Sequence, residues 1–202
     1  MWQTIIKDLL IIFIIFVPLE RLFPIRDNKK TLRRLWGTDF LHATVTTILI
    51  SMVMAMTLVA VAALIKPIIP LSLRTAIGAQ PFWLQFLEIV ILADIGYYWA
   101  HRAFHTFPIL WRFHAIHHSI EDMDALAGHR LHPVDQGLTR GVTLAPILLL
   151  NFDTAAFALF AICGHTHFLI NHSNIKFPLG PFRWIVASPQ FHHWHHANEP
   201  RL

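Results

Sequence analysis

Phe40 to Ile65 reads FLHATVTTILISMVMAMTLVAVAALI, 26 consecutive positions without a charged residue, closed by Lys66-Pro67. A membrane-spanning helix needs about 20 mainly apolar residues. This stretch is therefore long enough to cross a bilayer, and it decides the fold class: an all-α, multi-span helical membrane protein. Towards the N-terminus, Ile5 to Val17 (IIKDLLIIFIIFV) is almost uninterrupted, continues to Leu19 and ends at Pro18, Glu20 and Arg21. A signal peptide carries its charge before the apolar run and a small-residue cleavage site after it; here the basic cluster follows, so the segment reads as a retained first span. Towards the C-terminus, Phe82 to Trp99 is a third span, with Glu88 and Asp94 inside it. Val142 to Leu169 is apolar again but is broken by Pro146 and by Asn151-Phe152-Asp153, as either one long kinked helix or a short helical hairpin. The expectation is about four transmembrane helices in one domain over residues 1–202, with no internal repeat, low-complexity tract or flexible linker.

Composition agrees. Of 202 residues 55% are hydrophobic and 14% charged, and a mean hydropathy of +0.51 is too apolar for an ordinary soluble domain. One cysteine, Cys163, excludes an intramolecular disulfide framework and a cysteine-rich metal site. The formal charge is +4. No basic stripe interleaved with exposed aromatics accompanies it, so the reading is no nucleic acid and a membrane surface instead. The loop between the first two spans holds Arg21, Arg26, Lys29, Lys30, Arg33 and Arg34, against Lys66 and Arg74 in the next. By the positive-inside rule the first loop is cytoplasmic. Counting onward, the chain from His101 lands on the same side as a histidine-rich helical cap. A hairpin at 142–169 would keep the histidines on both sides of it on that face; a single crossing would separate them.

Histidine is the second anomaly: there are 15, more than the 12 Asp and Glu together, and only His42 precedes His101. His101-Arg-Ala-Phe-His105 is an HxxxH, and residues four apart share one helix face, with Cβ atoms about 5 to 6 Å apart. His114-Ala-Ile-His117-His118 is an HxxHH, and the same pattern runs from His192 to His195 and His196. A lone histidine beside a membrane is usually a cap or an interfacial residue, and His42 is read so. Three clusters at ligand spacing point to metal. Imidazole suits Zn, Cu, Fe and Ni, so ligand type does not name the ion. Eight imidazoles exceed the needs of one four- to six-coordinate ion, and two ions is the simpler count. Asp94 and Tyr98, seven and three residues before His101, fall near the same helical face. They read as groups that orient a ligand histidine without binding the metal themselves.

The ordered series resembles the fatty acid hydroxylase superfamily, also called the sterol desaturase family, of membrane-embedded, histidine-rich di-iron enzymes. The residues that carry the resemblance are Asp94 through Tyr98-Trp99-Ala100-His101-Arg102 with His105, then Trp111-Arg112-Phe113-His114-Ala115-Ile116-His117-His118-Ser119. It continues through Arg130-Leu131-His132-Pro133, Asn171-His172-Ser173-Asn174, and Ser188-Pro189 with His192 and His195-His196, with Glu20-Arg21-Leu22-Phe23-Pro24 as weaker support. The family's ligand roles carry over to His101, His105, His114, His117, His118, His192, His195 and His196. His167 and His172 both sit near where relatives supply ligands, and Asn171 occupies a neighbouring position that is histidine in some of them. No catalytic side chain beyond the metal ligands, and no cofactor-binding fingerprint, is implied. Relatives usually continue past the last HxxHH, whereas this chain stops six residues after His196, so the domain is expected to be truncated at its C-terminus.

What the resemblance implies is an oxidoreductase: a di-iron centre that uses O2 to hydroxylate or desaturate a C–H bond of a membrane lipid, whether sterol, fatty acyl chain, ether lipid or carotenoid. An inert C–H bond offers general acid–base groups nothing to act on, so the metal must supply the hard chemistry. No flavin or nicotinamide fingerprint is present, so electrons must come from an external donor such as a ferredoxin or a cytochrome b5-like protein. Phe104, Phe107, Trp111 and Phe113 line the substrate path or form an interfacial belt. The alternative from another class is a membrane transition-metal binding or transport protein. It should place ligands within the crossing helices, yet the first two spans contain only His42. A zinc hydrolase lacks its HExxH, and a bis-histidine haem carrier lacks histidines facing one another across spans.

Overall fold

The computed structural model describes residues 2–27, 30 and 32–197, and its regular structure is helical apart from one isolated bridge between Pro24 and Ile175. In chain order the helices are α1 (residues 2–22, with a π-helical turn at Ile12–Phe16), α2 (Trp36–Ile68), α3 (Leu71–Gly78) and α4 (Phe82–Thr106). They continue with α5 (Pro108–His118), α6 (Pro133–Leu149), α7 (Thr154–His172) and α8 (Pro189–His196), with 3-10 turns at Ala127–His129 and Gly180–Trp184. Prolines set several boundaries. Pro108, Pro133 and Pro189 each open a helix, where a missing N–H costs nothing. Phe107, which precedes Pro108, is extended (φ −95, ψ 120) and so divides α4 from α5. His132 caps α6 by accepting the Val134 N–H on Nδ1 at 3.1 Å, and Ser188 caps α8 by accepting the Phe191 N–H on Oγ at 3.1 Å.

By length and composition α2 and α7 can each cross a membrane, and a third span exists if α3 and α4, bent by 119°, are one broken crossing. Among the described residues two or three helices thus meet that test, against about four expected. The apolar run at 142–169 is not one helix: α6 ends at Leu149 and α7 begins at Thr154, with Asn151 left-handed at φ 63 between them. α6 begins well before the run and buries Asp135, Thr139 and Thr143 on its inner face. α1 forms over the first apolar run but falls outside that set. α2 turns large apolar side chains outward, with Met56 71% and Leu64 75% exposed. That is the surface of a helical membrane protein, since lipid covers such side chains at no cost.

The chain forms two compact units. One comprises Met1–Ile48, Ile116–Leu131 and Thr166–Leu202. Its core joins Ile12 and Phe16 of the π-helical turn to Ala125, Leu126, Leu169 and Ile175. Glu20 stitches three segments together, its Oε1 accepting the N–H of Ala125 at 2.9 Å and of Asn174 at 3.0 Å. The Phe23 carbonyl accepts the Lys176 N–H at 2.7 Å, and the Ile25 N–H donates to the Asn174 carbonyl at 3.0 Å. The Glu20-to-Pro24 and Asn171-to-Asn174 motifs, remote in sequence, are thus one assembly. Of the basic residues counted in the first loop, Lys29 lies outside the described residues.

The other unit comprises Leu49–Ala115 and His132–His165. Here α4 packs along α6, around Ile89, Ala93, Ile147 and Ala156. Gly137 and Gly141, one turn apart on α6, admit α2: a Cβ would come 2.5 Å from Val53 Cγ1 at the first and 2.7 Å from Thr57 Cγ2 at the second. Small residues at this spacing allow close backbone approach between apolar helices. Gln85, only 2% exposed, is satisfied by the Asp153 N–H at 2.6 Å and the Gln80 carbonyl at 2.8 Å.

Candidate metal centre

Among the described residues two sets of histidines come together, one in each unit. In the second unit α4 brings His101 and His105 to one face, and the turn at Phe107 returns the chain so that His114 of α5 joins them. Their ligand nitrogens lie within 4.8 Å of one another. The three rings form an almost even triangle, with centroids 4.7, 4.8 and 4.9 Å apart. His114 Nδ1 faces Asp135 Oδ2 at 2.8 Å, and both side chains are buried. Thr139 Oγ1 donates to the other oxygen of Asp135 at 3.3 Å. Asp135 lies in the first turn of α6, where the helix dipole favours its charge. A carboxylate on Nδ1 fixes the tautomer that leaves Nε2 to bind metal, and it raises the basicity of the ring. Tyr97 stacks on His101 at 5.4 Å, Trp111 packs on His105 at 5.3 Å and the buried Phe104 lies 5.6 Å from His114.

In the first unit the ligand nitrogens of His117, His172, His192 and His196 also lie within 4.8 Å of one another. They come from α5, the end of α7, and two positions four apart on α8. His172 Nε2 stands 3.1 Å from His117 Nε2 and 2.9 Å from His192 Nε2. The far nitrogens explain the tautomers: His117 Nδ1 donates to the Arg130 carbonyl at 3.2 Å and His172 Nδ1 to the Phe168 carbonyl at 2.8 Å. A carbonyl only accepts, so the proton sits on Nδ1 and both Nε2 atoms present lone pairs. Two buried lone pairs facing each other repel unless a cation lies between them. A metal–imidazole bond is about 2.1 Å, so two donors at right angles on one ion stand about 3.0 Å apart. The donor set fits a borderline first-row cation in both its chemistry and its spacing.

The remaining site expectations sort differently. His118 stacks face to face on His196 at 4.3 Å and lies 4.8 Å from His195, beside the four-histidine set. His195 projects from α8 with its ring 5.7 Å from that of His192. His167 lies outside both sets, its Nε2 2.9 Å from the Ala187 carbonyl and 3.1 Å from Asn171 Nδ2. Asp94 is exposed, and among the described residues no hydrogen bond joins it to a histidine. Tyr98 accepts from Arg102 Nη1 at 2.7 Å rather than orienting a ligand. The carboxylate in contact with a histidine of these sets is Asp135, which the sequence motifs did not single out. Its only local signal is a position two residues after the His132-Pro133 helix start. His132 is a cap with its ring 4.8 Å from Phe113, His193 donates to the Ser173 carbonyl at 3.0 Å, and His129 contacts Asp8 at 2.8 Å.

Residues 86–201, more than half of the chain, match the family described as fatty acid hydroxylase, and the match includes every histidine of both sets. Among curated proteins the chain is similar to the ornithine lipid hydroxylase OlsE of Rhizobium tropici, 31% identical over 69% of this chain and 46% of that protein. It is similar to the alkylglycerol monooxygenase of Danio rerio, 32% identical over 61% of this chain and 26% of that protein. It is also similar to the very-long-chain aldehyde decarbonylase GL1-8 of Oryza sativa subsp. indica, 26% identical over 55% of this chain and 42% of that protein. The chain thus spans less than half the length of each of these relatives. No solved structure matches it.

Proposed function

The chain belongs to the fatty acid hydroxylase family, and from that premise we propose that it is a di-iron oxidoreductase that uses O2 to hydroxylate or desaturate a C–H bond of a membrane lipid. The observation that carries the reading is the pair of imidazole-only donor sets, one with its ligand ring held by a buried carboxylate and the other with two rings held by backbone carbonyls. Iron bound there would supply the O2 activation and hydrogen abstraction that no side chain can. The protein's own residues do the rest. Asp135 holds His114 in one tautomer, and the Arg130 and Phe168 carbonyls do the same for His117 and His172. His105 and His114 are further restrained by Trp111 and Phe104, which pack on their rings. The outward apolar faces of α2 and α4 let a lipid approach from within the bilayer, Met56 and Trp83 being 71% and 70% exposed.

The two electrons are assigned to an external donor of ferredoxin or cytochrome b5 type. The metal centre is assigned to the cytoplasmic side, because the basic excess before α2 marks the first loop as internal. The names of the relatives favour a polar lipid or long-chain aliphatic substrate. Iron-loaded protein in phospholipid vesicles, given reduced ferredoxin and 18O2, should yield lipids carrying one heavy oxygen or lacking two hydrogens. Metal-loaded vesicles that move transition metal across the bilayer and oxidise no lipid would favour the transport reading instead.

A further inference from the structure

Arg33 counts in the sequence as one of the basic residues of the loop before α2, yet it is buried, 8% exposed. Its Nε and Nη2 form a two-pronged pair with Asp124 at 2.6 and 2.7 Å, and its Nη1 donates to Asp39 Oδ2 at 2.5 Å. Asp39, with no exposed surface, accepts Arg130 Nε on its other oxygen at 2.6 Å. Arg130 Nη1 then donates to the Ser119 carbonyl at 2.8 Å. Two buried cations and two buried anions thus alternate and neutralise one another. Burial alone would lower the Arg33 guanidinium, but the hydrogen bonds and charges of Asp124 and Asp39 raise it above its ordinary value. It is a fixed charge at any working pH.

Two arms run from this network to the four-histidine set. Through Arg130, whose side chain is held at three points, the backbone carbonyl receives the Nδ1 proton of His117. Through Asp124, whose Oδ1 accepts the Ala127 N–H at 2.8 Å, the 3-10 turn Ala127–His129 is set in place. That turn presents Gly128 to the His172 ring so closely that an added Cβ would lie 2.7 Å from its Cγ. Stability alone is a weak reason for four buried charges, because apolar replacements of such networks are often neutral or favourable. We infer that Arg33, Asp39, Asp124 and Arg130 are positioning residues that hold His117 and His172 in metal-binding orientation. The inference rests on the metal-binding reading above.

The test uses the full chain in detergent, stripped of metal and titrated with Co(II) against a competing chelator, with the cobalt absorption bands reporting each histidine set. Wild type should show two binding events. Asp39→Asn should weaken the four-histidine event about 10- to 100-fold, the usual effect of losing an outer-shell partner, and leave the three-histidine event unchanged. Asp135→Asn should do the reverse. If Asp39→Asn does not fold, Arg33→Lys keeps the charge but loses the two-pronged pairing, and it should give the same selective loss. Equal weakening of both events, or no change in a folded variant, would overturn the inference. A wild type that binds no cobalt at either set would overturn the metal-binding reading itself.

Discussion

Gly128→Ala puts one methyl group where the His172 ring already stands. Its Cβ would lie 2.7 Å from Cγ, 2.8 Å from Cβ and 3.2 Å from Cδ2 of that histidine. Ordinary contact begins near 3.4 Å, so the ring or the turn must give by about 0.7 Å, a displacement that tightly packed interiors resist. The ring has little room to yield, since Nδ1 is bonded to the Phe168 carbonyl at 2.8 Å and Nε2 stands 3.1 and 2.9 Å from His117 and His192. Two effects compete. Alanine restricts the unfolded chain and would stabilise by about 0.4 to 1 kcal/mol at a compatible site, whereas overpacking costs about 1 to 3 kcal/mol. The clash wins, so the metal-free variant should melt a few degrees lower. The larger effect is on metal, because a ligand ring moved by this much loses its bond geometry. Affinity at the four-histidine set should fall at least about tenfold, by analogy with outer-shell losses. Chelator competition and a thermal melt of the stripped protein measure both. A variant with wild-type affinity at this set would refute the steric reasoning, whatever its melting temperature.

His167→Ala should leave metal stoichiometry unchanged, because it lies outside both histidine sets; elemental analysis that finds metal lost would return it to the ligand set. Glu20→Ala strands the N–H groups of Ala125 and Asn174, each worth about 1 to 3 kcal/mol when buried and unpaired. Denaturant unfolding should register a loss of several kcal/mol, and a loss below 1 kcal/mol would mean water replaces the carboxylate. In a Cys163→Ala background, Ser119→Cys should react with an impermeant thiol reagent only from the cytoplasmic face, and labelling from outside would reverse the orientation.

The sequence made some of this arrangement plain and hid the rest for identifiable reasons. The uncharged run at 40–65 has one reading, and α2 follows it. Over 142–169 the Asn151-Phe152-Asp153 interruption marked the place where α6 and α7 divide, and of the two readings offered the single long helix is the one that fails; an apolar average did not register that α6 begins nine residues earlier with a buried polar face. Histidines that share one helix face were legible from spacing alone, as with His101 and His105, and His192 and His196. Spacing gave His118 the same claim as His117, and only packing separates the buried ring that meets His172 from its neighbour, which stacks on His196. Asp94 looked like the orienting carboxylate because it is near in sequence. The acid that touches a histidine of the three-residue set, Asp135, is 21 residues from His114, and no helical period relates them. Arg33 enters the positive-inside rule as one basic residue of the first loop, and that rule carries no information about burial.

Metal analysis of protein purified after growth in iron-replete medium tests the central claim most directly. The account predicts about two irons per chain, with His105→Ala and His117→Ala each lowering that number. A single zinc per chain with no iron would contradict it.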